Sequence, residues 1–308
     1  LLMRTAFVTG VAGFTGRYLA PALQARGYRV CGLVQDAAAN ALPGVDRLCE
    51  GDLLDAGRLA SLLDDERPEV VVHLAAVSFV AHGDVEAIYR TNLIGTRCLL
   101  DALARRGSVR HVLLASSANV YGNAVEGMLD ESTPPAPAND YAVSKLAMEH
   151  MARLWTHRLP ITLVRPFNYT GVGQAAHFLV PKIVGHFARR APVLELGNLE
   201  VERDFSDVRT VVEAYVRLLE QPAGGQIYNV CSGQGHSLMD ILSLLERQCG
   251  FRPEVKVNPA FVRPNEVRRL VGNPARLVAA VGPLPTVPLT ETLAWMLDAE
   301  QAAAPHMA

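Results

Sequence analysis

Residues 4–16, RTAFVTGVAGFTG, carry the reading that decides the fold. The apolar, β-branched run over 4–10 predicts a buried strand, and the spacing from Phe14 onward predicts a helix over 14–26. Between them Gly10, Gly13 and Gly16 form a G-x-x-G-x-x-G turn. Glycine is needed where a strand turns sharply into a helix and where backbone approaches a pyrophosphate closely. The helix start then offers free N–H groups and a positive dipole end to phosphate oxygens. Glycine-rich turns also serve packing alone, but one that follows a strand and opens a helix fits a dinucleotide. Gly10, Gly13, Phe14, Thr15 and Gly16 are therefore the first candidate cofactor-binding residues.

The alternation continues downstream. Strands are predicted over 29–34, 69–74 (EVVVHL), 110–116 (RHVLLAS) and 160–165, with a short one around 47–49, and helices over 85–106 and 142–157. Strand–helix alternation with nearly all-apolar strands implies right-handed crossovers and a parallel sheet covered on both faces. The expected fold is α/β. A doubly wound parallel Rossmann sheet should occupy residues 1–166, joined by pieces around 204–231 that include the strand-like GQIYNV at 225–230. Beyond Pro166 proline and glycine become more frequent. A smaller C-terminal substrate lobe is expected from 167–203 and 232–308, with a frayed tail over 300–308. Trp295 and Met296, in the helical stretch 289–299, read as core, and His73, mid-strand, as a satisfied core histidine.

The 308 residues are 50% hydrophobic and 19% charged, enough for a large core and incompatible with global disorder. Lys and Arg number 29 against 31 Asp and Glu, a balance that argues against a nucleic-acid partner held by phosphate neutralisation. No apolar run reaches the roughly 18–20 residues of a membrane span, and a signal-peptide succession is not seen at the N-terminus. The five cysteines, Cys31, Cys49, Cys98, Cys231 and Cys249, make no C-x-x-C pair and no zinc spacing. They read as reduced core thiols in a cytoplasmic protein, and no metal is expected.

Three further places extend the dinucleotide reading. Asp52 and Leu53 follow the short strand at 47–49; the carboxylate could accept from an adenine amino group or cap the helix that begins near Ala56. Leu74, Ala75 and Ala76 end the EVVV strand with small residues, which suits close approach of a ribose or nicotinamide as well as tight helix packing. Asp36, past the second strand, stands a residue or two late for an acid that holds a ribose 2′-hydroxyl. With no Arg at that tip, NADP(H) and NAD(H) both stay open.

Tyr141-Ala142-Val143-Ser144-Lys145 places a phenol and an ammonium four residues apart on one helix face. A nearby Lys⁺ is expected to lower the tyrosine pKa towards neutrality, so that the phenol gives or takes a proton near pH 7. On its own Y-x-x-x-K is usually a solvated helix face. Here the strand at 110–116 ends in Ser116-Ser117-Ala118-Asn119-Val120-Tyr121-Gly122, which puts a hydroxyl at the carboxyl edge of the sheet, where ligands bind in open α/β folds.

With the glycine turn, these motifs resemble the extended short-chain dehydrogenases/reductases that act on nucleotide-sugars, and the resemblance covers essentially the whole chain. It implies that Tyr141 exchanges a proton with a sugar hydroxyl. Lys145 would tune Tyr141 and hold the nicotinamide ribose, and Ser117 would bind the reacting oxygen. A homodimer, formed through the helices at 85–106 and 140–157, is also implied. Dehydratases of this family typically carry Thr-Asp-Glu, or a variant keeping the Glu, where this chain has Ser117-Ala118-Asn119. Elimination then lacks its acid/base carboxylates, which leaves a reductase or an epimerase.

Residues 165–174 (RPFNYTGVGQ), 203–208 (RDFSDV) and 228–233 (YNVCSG) resemble stretches of the GDP-4-keto-6-deoxymannose reductases of this family. Residues 263–267 (RPNEV) resemble the R-P-x-E/D-V shared with the GDP-mannose dehydratases. The likeness implies a nucleotide-sugar substrate, with a GDP-hexose favoured. Arg263 would grip the diphosphate and Glu266 the ribose, roles that suit an Arg fork and a carboxylate. Asn168 would contact the sugar, or else cap a turn. Arg203 would contact substrate or phosphate, or else pair with Asp204 or Asp207. Lys182 is a further substrate candidate, with solvation as its competing reading, as for His177. Tyr169 and Val172 depart from the reductases' usual His and Pro, and both are expected beside the sugar pocket.

Overall fold

The computed structural model describes residues 4–36, 41–78, 84–123, 127–222, 224–262 and 267–303. The chain runs β1 (Arg4–Thr9), α1 (Phe14–Ala25), β2 (Tyr28–Val34), β3 (Arg47–Glu50), α2 (Ala56–Glu66) and β4 (Val70–His73). A continuous helical stretch follows: α3 (Val85–Tyr89), a π-helical segment (Arg90–Gly95) and α4 (Thr96–Arg106). Then come β5 (His111–Ala115), α5 (Asp140–Arg153), β6 (Ile161–Pro166), β7 (Asn168–Thr170), α6 (Leu179–Ala188), β8 (Val193–Leu196) and β9 (Glu202–Asp207). The last third holds α7 (Val208–Glu220), β10 (Ile227–Val230), β11 (Gly235–Ser237), α8 (Leu238–Cys249), β12 (Glu254–Val257), β13 (Arg269–Leu270), α9 (Ala275–Val281) and α10 (Leu289–Ala303).

Seven parallel strands form the main sheet in the order β10-β6-β5-β4-β1-β2-β3. The order reverses beside β1, so the carboxyl ends of β1 and β4 meet at a topological switch point, with Thr9 registered on His73. Both faces are dry, which is why these strands lack hydrophobic alternation. One face packs Leu19 and Leu23 of α1 and Val211 and Tyr215 of α7. The other packs Leu59 and Leu62 of α2, Leu99 and Leu103 of α4, and Met148 and Ala152 of α5. Each fully buried Leu or Val contributes roughly 1.5–3 kcal/mol by leaving water.

β9 joins a separate four-stranded sheet with β7, β11 and β13, so this part of the 204–231 stretch departs from the main sheet while β10 enters it as an edge strand. Beside it β8 pairs with β12. Ile183 and Phe187 of α6, Leu194 of β8, Ile241 and Leu245 of α8 and Leu293 of α10 share a core of their own. Two boundaries differ from expectation. The helix at 142–157 stops at Arg153, because the chain turns there to bring Leu159 into the core and start β6. The helix at 289–299 runs on to Ala303 over an alanine-rich end, so 300–303 are helical rather than frayed. Among the described residues, no helix is long and apolar enough to cross a membrane, and no His/Cys/Asp/Glu cluster could hold a metal ion.

Candidate active site

The glycine turn is built as its spacing requires. Gly10 has φ +69°, and a Cβ there would stand 2.7 Å from the amide nitrogen of Ala75. Gly13 is the residue ahead of α1, no side chain caps that helix, and its first turn carries no acid. The first N–H groups of α1 are thus free for an anion, and the residues present fit a dinucleotide pyrophosphate. A Cβ on Gly16 would meet the carbonyl oxygens of Val11 and Gly10 at 2.4 and 2.5 Å. Gly16→Ala should therefore open the turn and weaken NADPH or NADH binding about tenfold or more, roughly 1.4 kcal/mol or above. Fluorescence titration measures this, and unchanged affinity would make the turn a packing feature.

Beside it, the Ala75 N–H donates to Thr9 Oγ1 at 3.2 Å. His73, 2% exposed, links Thr9 Oγ1 through Nδ1 (2.7 Å) to Thr96 Oγ1 through Nε2 (2.8 Å). The Thr96 hydroxyl donates its one proton to the Asn92 carbonyl at 2.7 Å. It must therefore accept from Nε2–H, and Nδ1 accepts from Thr9. Burial, with Lys145 nearby, holds His73 neutral by lowering its pKa to about 3. The core-histidine reading is correct, and the ring ties the loop at Leu74–Ala76 to the π-helical segment.

Asn139 caps α5 by accepting from the Ala142 N–H at 2.9 Å, which fixes where Tyr141 and Lys145 leave the helix. The Ser117 side chain lies close enough to the Tyr141 phenol to favour its charged form, at the carboxyl edge of the sheet. Lys145 is 3% exposed and donates from Nζ to the Ala115 carbonyl at 2.8 Å. The structure thus brings Ser117, Tyr141 and Lys145 together. It corrects the expected electrostatics: burial dominates and pushes the Tyr141 phenol up to about 12 rather than towards neutrality. Lys145 is pushed down to about 8 by burial, which the Glu149 carboxylate partly offsets. The set is a protonated phenol with, one helical turn on, an ammonium more acidic than an ordinary lysine.

Two supports for this set went unread in the sequence. Asn92, 1% exposed in the π-helical segment, donates from Nδ2 to Ser144 Oγ (3.0 Å) and to the Val77 carbonyl (3.1 Å). Its Oδ1 accepts from the Val77 N–H at 2.8 Å. π-bulges concentrate at functional sites, and the sequence sign was a polar residue and Gly95 inside an apolar helix face. Glu149, one turn after Lys145, forms a bidentate ion pair with Arg165 at 2.6 and 2.8 Å. It also accepts from Ser116 Oγ at 2.5 Å. Ser116 therefore faces this network and Ser117 faces Tyr141. Arg165 continues to the Tyr121 hydroxyl (2.9 Å), which donates to Asn229 (2.7 Å).

Residues 6–231 match the NAD dependent epimerase/dehydratase family. The chain belongs to that family. It is an NAD(P)-dependent enzyme of the extended short-chain dehydrogenase/reductase type. It is 37% identical over 307 residues to a GDP-6-deoxy-D-mannose reductase of Pseudomonas aeruginosa, covering 95% of each chain. It is 34% identical over 277 residues to a GDP-6-deoxy-D-talose 4-dehydrogenase of Aggregatibacter actinomycetemcomitans, covering 89% of this chain and 90% of the other. A solved protein of Burkholderia cenocepacia J2315, carrying the provisional name of an epimerase, is 52% identical with TM-score 0.92, over 97% and 99% of the two chains. RMD from Pseudomonas aeruginosa, complexed with NADPH, has 34% identity and TM-score 0.85, over 98% and 99%.

Asp52 does not cap α2: Asp55 does, accepting from the Arg58 N–H at 2.9 Å. The Asp52 carboxylate instead accepts from the Leu54 N–H (2.8 Å) and from Gln35 Nε2 (3.4 Å), beside a buried Leu53. Asp36 is exposed at the tip past β2. Asn168 is exposed on β7. Arg203 is 9% exposed and donates from Nη1 to the carbonyls of Glu202 (3.0 Å) and Arg268 (3.2 Å). Asp204 meanwhile accepts from Ser232, Gly233 and Gly272, and Asp207 from Arg209 and Thr292. Lys182 is half-buried at the surface, where Nζ donates to the Glu195 carbonyl at 2.9 Å and sits 3.9 Å from the Phe261 ring centroid. Arg263 and Glu266 lie outside the described residues. Tyr169, expected by the sugar pocket, bonds Thr15 at the glycine turn and also lies near enough to Tyr141 to bear on its phenol. The Val172 carbonyl accepts from the Tyr18 hydroxyl at 2.6 Å, among residues of the C-terminal core.

Proposed function

We infer that the protein reduces the 4-keto group of a nucleoside-diphosphate 4-keto-6-deoxyhexose with NADPH or NADH. The substrate best supported is GDP-4-keto-6-deoxy-D-mannose, giving GDP-D-rhamnose. The observation that carries this reading is the neighbourhood of Ser117. A complete Ser117, Tyr141 and Lys145 set stands beside Ala118 and Asn119. Dehydration of a 4-keto sugar needs one proton removed from C5 and another delivered to the C6 oxygen. An alanine methyl does neither, and an amide does not exchange protons near neutral pH. Reduction needs only one hydride at C4 and one proton on O4. The hydride would come from the nicotinamide held at the glycine turn; Tyr141, held protonated by burial, would supply the proton, while Ser117 would orient the oxygen and Lys145 the ribose. Arg203, Asn168 and Lys182, with Arg263 and Glu266, are the proposed substrate contacts. The reductase and talose dehydrogenase relatives support a GDP-sugar and leave the C4 configuration to experiment.

We further propose a cytoplasmic homodimer joined through the 85–106 and 140–153 helices. Val85, Ile94 and Val143 stand exposed there, which suits a partner copy.

The purified protein should leave GDP-mannose unchanged and should oxidise NADPH or NADH when given GDP-4-keto-6-deoxymannose, with product identity read by NMR. Clean dehydration of GDP-mannose would overturn the reductase reading. Isomerisation at C4 without net cofactor consumption would assign an epimerase.

A further inference from the structure

Tyr169 arises from β7, immediately after β6, yet its hydroxyl lies 2.7 Å from Thr15 Oγ1 in the first turn of α1. In the sheet β6 and β1 are separated by β5 and β4, three strand spacings or roughly 14 Å. β7 pairs with β9 outside the main sheet and carries the backbone part of this distance, so that the Tyr169 side chain ends at the glycine turn. It is held at both ends. The ring stacks on Phe14 with centroids 6.0 Å apart and planes at 13°. Its backbone registers on Ser206 of β9, and its carbonyl accepts from Gln174 Nε2 at 3.2 Å.

We propose that Tyr169 is a cofactor-retaining residue: through Thr15 it donates into the pyrophosphate subsite and straps the bound nicotinamide dinucleotide in the cleft. This rests on the dinucleotide occupying the glycine turn. Thr15 has one hydroxyl proton. With an anion at the free N–H groups of α1, the favoured order runs Tyr169 O–H to Thr15 Oγ1, and Thr15 O–H to a phosphate oxygen. Such a chain strengthens each bond in it. Burial raises the Tyr169 pKa, so the phenol keeps the proton it donates.

The test is the NADPH and NADH dissociation rate, followed by nicotinamide fluorescence after displacement, in wild type, Tyr169→Phe, Thr15→Val and the double variant. Unfolding temperatures without dinucleotide are read in parallel. Tyr169→Phe should release the dinucleotide about three- to tenfold faster, the effect of one net hydrogen bond. In the Thr15→Val background it should add nothing further. An unchanged release rate in Tyr169→Phe overturns the proposal, even if the unfolding temperature falls, since that pattern marks a purely structural tyrosine. An additive loss in the double variant overturns the route through Thr15. If wild type binds neither dinucleotide, the failure belongs to the reading of the glycine turn itself.

Discussion

Tyr141→Phe should lower turnover of the 4-keto sugar about 10²–10⁴-fold, the usual contribution of a positioned general acid. Only the hydroxyl is lost, so α5, its Asn139 cap and the Lys145 contact to the Ala115 carbonyl persist. Nucleotide affinity should survive. The direction of the pKa shift gives this prediction its chemistry. A phenol pushed up to about 12 is a proton donor throughout the neutral range, as delivery to a C4 oxyanion requires. Lys145, brought down to about 8, carries its charge below that pH and loses it above. The reductive rate should therefore be flat on the acid side and fall as pH passes about 8. The same shift has a stability consequence. The cost of burying the charged amine is fully present below pH 8 and is relieved between about 8 and the ordinary 10.5, so stability from this group rises across that window. Near-normal turnover of Tyr141→Phe, with pH-independent rates, would remove Tyr141 from the chemistry.

The second large effect is on folding. Glu149 and Arg165 are 1% and 3% exposed at the side chain, and their ion pair is bidentate. Glu149→Ala leaves a guanidinium buried without a counter-charge, which costs about 3–5 kcal/mol. Against a total stability of about 5–15 kcal/mol that is severe. Urea unfolding measures it. The double variant Glu149→Met with Arg165→Met removes both charges and should recover most of the loss. In any folded Glu149→Gln protein the alkaline limb of the rate profile should move to lower pH, because the carboxylate that supports the Lys145 charge is gone. A loss below about 1 kcal/mol in Glu149→Ala would show that water reaches this pair and screens it.

These outcomes also mark what was legible in the chain. Local rules sufficed where one segment decides its own structure. The glycine spacing fits a turn that only residues without Cβ can make, since a Cβ at Gly16 would meet two carbonyl oxygens. The apolar strands and helical spacings place β1 to β6 within a residue or two. The Y-x-x-x-K spacing placed Tyr141 and Lys145 on one helix face, and the serine at the end of a strand fell at the carboxyl edge. Capping was less legible: Asp52 and Asp55 stand three residues apart with the same side chain, and only the backbone path selects Asp55.

Short-range periodicity and residue types with few alternatives were enough to read an α/β sheet, a glycine turn after its first strand, and a tyrosine and a lysine on one helix face. The tertiary structure alone decided the electrostatics and the long-range partners. Whether Lys145 acidifies Tyr141 depends on burial and on where Nζ points, and it points to Ala115. Which serine meets the phenol depends on Glu149 drawing Ser116 away. That Tyr169 reaches Thr15, 154 positions earlier, follows from strand order in the sheet, a property of no single segment.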